Sequence, residues 1–213
     1  MIRARILAAA LLFAAPPALA LAEPASCLPE NLATYDPASP DAPRLRCDID
    51  RASEISRKAE LMHGALPTAR IEIVDTYSPS GSAYVYSVYE EHGWKFLEAR
   101  SVPWSGGNGR LPACRMGTTL PGDVVSELTS LLGSIDTDAP EAYGPREEST
   151  LNPDGSRTVR LILDSHDVIT RIDLPGGEKH FSRHARSEDD INRLNNLVIG
   201  VANLSSAWSC DAS

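Results

Sequence analysis

Positive charge is in the minority: 20 lysines and arginines stand against 29 acids, a formal net charge of −9 over 213 residues. Sequence-independent contact with DNA or RNA displaces counterions with a positive surface, so a chain of this sign is not built for nucleic acid. Long apolar runs are missing after the first two dozen residues; none reaches the length that a membrane-crossing helix needs. Cysteine is scarce, four in all, and no CxxC or Cys/His grouping stands at zinc spacing. There is no G-x-S-x-G, so the nucleophile elbow of serine hydrolases is absent. No acidic run has the D-x-D-x-D-G spacing of a calcium loop. The glycine run Gly106-Gly107-Asn108-Gly109-Arg110 lacks the Lys-Ser/Thr of a phosphate-binding loop and reads as a surface loop. What remains, 42% hydrophobic and 23% charged residues, is an ordinary globular composition rather than a disordered one. The length suits one domain or two small ones.

Residues 1–22 read as an export signal. Arg3 and Arg5 precede an apolar stretch from Ile6 to Ala15, and Ala20-Leu21-Ala22 fits the small-x-small cleavage rule. Pro16-Pro17 argues against an uncleaved helical anchor. The chain that follows holds Cys27, Cys47, Cys114 and Cys210, an even count that in an exported protein suggests two disulfides. Cys27 with Cys47 would close a local Pro-rich loop, and Cys114 with Cys210 would tie the middle of the chain to its end. Cys27 could instead carry a lipid, but Pro24 three places before it does not suit a lipoprotein signal, and lipidation would strand one thiol.

Residues 23–47 form a Pro-rich N-terminal arm, and 48–213 read as a single α+β domain, with 48–118 and 119–213 as the alternative division into two αβ halves. Ala52, Ile55, Ala59, Met62 and Leu66 recur at three and four, one stripe of a helix capped by Asp48 or Asp50. The period then switches to two. Strands at Arg70–Val74, Ala83–Glu90 and Trp94–Ala99 form an antiparallel meander, with His92-Gly93 as a two-residue hairpin turn. Residues 102–118 read as loop. A second helix spans Gly122 to Leu132, stopped by Gly133. Glu148–Asn152 and Arg157–Asp164 flank the turn Pro153-Asp154-Gly155, and Thr158–Leu163 is the expected central strand. Val168–Leu174 and Glu178–Ser182 follow, then a helix begun by Ser187 in a capping box with Asp190. The expected class is therefore α+β, antiparallel meander sheets packed against three amphipathic helices in the order α-βββ-α-ββββ-α.

Three groups of residues could carry chemistry. Lys179, His180, Arg183 and His184 form a basic run that could hold an anion such as phosphate or carboxylate. His180 and His184, four apart, share a face and could ligate Zn or Cu with a carboxylate such as Glu178, although Arg183 and Arg186 oppose a cation. The competing reading is a charged edge strand that keeps other chains from pairing. Tyr84, Tyr86 and Trp94 could stack on sugars or grip a partner, Tyr84 and Tyr86 sharing one face and Tyr89 lying on the other. Ser165-His166-Asp167 are sequence neighbours whose side chains diverge, so they are no triad.

Taken together the residues point to an exported soluble binding or accessory protein of the cell envelope, periplasmic or secreted. No catalytic motif is recognisable and no cofactor is implied. The partner would be an envelope protein, a wall polymer or a small anion. A periplasmic hydrolase with non-sequential catalytic residues and a His-based metal binder are the alternatives.

Overall fold

The computed structural model describes residues 43–76, 82–103, 113–135, 147–161, 167–185 and 188–211. The export signal, Cys27, Ser187 and the Ser165-His166 pair lie outside the described residues. In chain order the elements are α1 (Pro43–His63), β1 (Ile71–Asp75), β2 (Ser82–Glu91), β3 (Trp94–Pro103), β4 (Cys114–Thr119), α2 (Gly122–Ser134), β5 (Glu147–Leu151), β6 (Arg157–Leu161), β7 (Asp167–Leu174), β8 (Gly177–His184), α3 (Asp190–Leu204) and β9 (Ser209–Cys210). The α+β class and the order of helices and strand runs are as expected. The structure adds β4 to the first meander and β9 after the last helix.

Seven strands form one antiparallel sheet in the order β8-β7-β1-β2-β3-β4-β9. β1 pairs with β7, so both halves of the chain contribute to it. The strand expected at the centre, Thr158–Leu163, is not there: β5 and β6 make a separate two-stranded hairpin. Two arginines, Arg157 and Arg160, lie in the five residues of β6, whereas β2 is buried on both faces from Val85 to Val88 and takes the middle place. The β2–β3 turn is the one expected. His92 (φ 52°) and Gly93 (φ 80°) both adopt the left-handed region that a type I′ hairpin turn requires.

The pleat divides the sheet's side chains between two covers. Ile71, Ile73, Tyr86, Val88, Leu97, Ala99 and Met116 pack under α2 and α3, with Leu128, Leu131, Leu194 and Val198 from the helices. On the opposite face Val74, Ala83, Val85, Val102 and Ile169 pack under Ala52, Ile55 and Ala59 of α1, the apolar stripe read from the sequence. That helix starts earlier than the spacing predicted. Pro43 fits a first helical position, where its missing N–H would have no partner anyway. Asp48 is consequently not a cap: it lies inside the helix, 6% exposed, and accepts from Ser182 Oγ at 3.3 Å. Met62 is 45% exposed, at the end of the stripe.

Gly133 does not stop α2, which runs on to Ser134. The start of α3 also differs from the expected Ser187 cap. The N-cap is Asp189, whose carboxylate accepts from the amide of Asn192 at 2.8 Å. Cys114 and Cys210 face each other across β4 and β9 and form a disulfide, as expected. Cys47 in α1 is also disulfide-bonded, its partner lying outside the described residues. Among the described residues no helix is long and apolar enough to cross a membrane.

Candidate functional site

The basic run on β8 is split by the strand's pleat. His180 sits opposite Arg171 and faces the α1 side, whereas Lys179 and Arg183 sit opposite Ile172 and Val168 and face the other side. The four residues therefore do not form one anion cradle. Arg183 is 8% exposed and engaged within the fold: its Nε donates to Asp189, its Nη1 donates to the Ser182 carbonyl at 3.1 Å, and its guanidinium lies 5.5 Å from the Phe181 ring centre. It locks β8 to the start of α3. His180 Nε2 stands 3.5 Å from Glu178, which itself accepts from Arg171 Nη1 at 3.0 Å. Arg171 also reaches Glu72 at 3.9 Å, and Glu72 accepts from Ser56 Oγ of α1 at 2.8 Å. Among the described residues no three His, Cys, Asp or Glu side chains come together as a metal site, and the side chain of His184 is outside them.

Of the aromatic candidates only Trp94 is on the surface, at 64% exposure. Tyr86 is 3% exposed beneath α2 and α3. Burial drives its hydroxyl pKa far above the ordinary value, with the charge of Asp75 and then Tyr84 adding to the shift. Tyr84 stacks against Tyr86 at 6.3 Å and meets Trp208 edge-on at 6.1 Å, so it is held in the same layer.

The open aromatic surface lies on the other face of the sheet. Tyr89 and Phe96 are directly opposite in register and stack at 5.6 Å with ring planes 18° apart. Two residue pairs further toward the His92-Gly93 turn, and so on the same face, Trp94 lies opposite Glu91. The core beneath α1 takes Ala83 and Val85 from β2 and Val102 from β3, and it stops short of this end of the hairpin. Tyr89 and Phe96 are left half-buried and Trp94 exposed. The surroundings are acidic. The Tyr89 hydroxyl is raised first by partial burial, then by Glu98 and Glu91, with Arg100 opposing. Alternation puts Tyr89 on the face opposite Tyr84 and Tyr86, and the register counted outward from the two-residue turn fixes its partner. That count alone sets Tyr89 against Phe96.

A cavity of about 260 Å³ opens where the end of α1 meets β4 and β9, lined by Met62, His63, Ala113, Arg115, Ser209 and Asp211. It gathers histidine, serine and aspartate, the groups a scattered-residue hydrolase would need. They are not arranged as one. His63 Nε2 donates to the carbonyl of Ser101 at 3.1 Å, and among the described residues no hydrogen bond joins His63 to Ser209 or Asp211. No family model, curated protein or solved structure matches the chain.

Proposed function

We propose that this protein is exported and acts as a binding module of the cell envelope, gripping the glycan of the wall with the aromatic strip Tyr89–Phe96–Trp94. The observation that carries this reading is the stacked, half-open pair Tyr89 and Phe96 continued on the same strand face by the 64% exposed Trp94. A sugar ring presents C–H groups on its faces and hydroxyls around its rim. Aromatic faces are negative and receive C–H groups well. The carboxylates of Glu91 and Glu98 beside Tyr89 are acceptors for the rim hydroxyls. An acidic surface also keeps the module off nucleic acid. The Cys114–Cys210 disulfide supports a life outside the reducing cytoplasm, in the periplasm or beyond the cell.

The test is co-sedimentation of the mature protein with purified, insoluble wall glycan. The protein is expected in the pellet, and Trp94→Ala, at an exposed site, is expected to weaken retention by roughly tenfold, equivalent to about 1.4 kcal/mol. Protein remaining in the supernatant would overturn the glycan reading. So would a pellet fraction unchanged by Trp94→Ala.

A further inference from the structure

The geometry points to a second ligand site, independent of the aromatic strip: the cavity at the end of α1 binds a small zwitterion of the α-amino acid class, free or as a dipeptide. Its walls come from three places that the fold holds in fixed relation. Arg115 of β4 lies opposite Ser209 of β9 in the strand register. Each of the two charged residues is next in sequence to a bridged cysteine, Arg115 to Cys114 and Asp211 to Cys210. The amide of Asp211 also donates to the carbonyl of Ala113 at 3.0 Å, extending the pairing by one residue. His63 is oriented from the third side by its bond to Ser101. The backbone that carries the two charges is thus held in place before any ligand arrives, which lowers part of the ordering cost of binding.

The chemistry of the walls is divided. Arg115 and Asp211 both line the space, yet no ion pair joins them to each other or to another described group. A carbonyl only accepts, so His63 Nε2 carries a proton and donates it to Ser101. Arg115 and the Ser209 hydroxyl supply donors for a carboxylate, while Asp211 supplies an acceptor for an ammonium group. A simple anion would meet Asp211 as well as Arg115, and a simple cation would meet Arg115 as well as Asp211. Only a molecule carrying both charges satisfies both walls. The volume, about 260 Å³, lies at the small end of ligand sites and limits the guest to one or two residues.

Isothermal titration of the mature protein with alanine, alanyl-alanine, acetate and methylamine tests this, the first two arms separating the free amino acid from the peptide. At least one zwitterion is expected to bind, with acetate and methylamine weaker by about tenfold or more. Arg115→Gln and Asp211→Asn, both at exposed positions, are each expected to reduce zwitterion binding about tenfold, leaving the unfolding temperature of the free protein unchanged. Trp94→Ala is expected to leave it intact. Absence of zwitterion binding, acetate binding as tight as alanine, or binding unchanged in both charge variants would each overturn the site.

Discussion

Arg100 shows how this small protein handles charge in its interior. It is 2% exposed, and its guanidinium donates to the carbonyl of Gly64 at 3.3 Å and to Ser87 Oγ at 3.4 Å. Gly64 directly follows α1, so the buried cation sits at the end of that helix where the backbone dipoles leave partial negative charge. Tyr86 is the neutral counterpart. Its phenol keeps its proton in the fold far above 10.0, whereas in the unfolded chain it ionises near that value. Above pH 10.0 the unfolded state therefore holds fewer protons than the folded one, and stability falls as pH rises. Below that pH the contribution is fully present. Urea unfolding of Tyr86→Phe is expected to show a shallower loss of stability above pH 10.0 than the parent protein, with the two alike at neutral pH. Equal slopes would mean that Tyr86 is hydrated or charged in the fold.

At the scale of elements, the start of α3 depends on a single side chain. Asp189 caps its first turn and also receives the buried guanidinium of Arg183, so one carboxylate secures both the helix start and its junction with β8. Asp189→Ala is expected to lower stability by roughly 1–2 kcal/mol in urea unfolding. Asp189→Asn, which keeps a capping oxygen, is expected to cost less. Helix stripes and tight turns were legible in the sequence because they are written in local spacing: Ala52, Ile55 and Ala59 share a face in any helix, and His92-Gly93 favours one turn type. β4 was not legible. Its six residues, Cys114 to Thr119, bury only Met116 fully and contain Gly117, so no alternation announces it. β9 is two residues long and exists through its pairing with β4. Trp94 was named from the sequence, but Tyr84 and Tyr86 were preferred over Tyr89 and Phe96. Alternation tells which residues share a face; it does not tell which face a distant helix will cover. The split of Lys179 and Arg183 from His180 on β8, by contrast, follows from strand alternation alone.

At the scale of the molecule, the Cys114–Cys210 bridge spans 96 residues and closes the sheet at its β9 edge. Joining positions so far apart restricts the unfolded chain strongly. Replacement of both cysteines by serine, which leaves the Cys47 bridge intact, is expected to cost roughly 3–5 kcal/mol, read from the urea midpoints of the variant and the parent protein. A much smaller change would mean that the unfolded chain is already compact. The wiring of the sheet sets the order in which the protein can be finished. Ile71 lies beside Ile172, its neighbour about 100 positions later, and until β7 is available β1 has one side bare. Contacts of such long range form slowly because the intervening chain must first be brought round. A nascent polypeptide connected in this way stays incomplete for much of its synthesis, the condition a chain must meet to be threaded through a narrow pore.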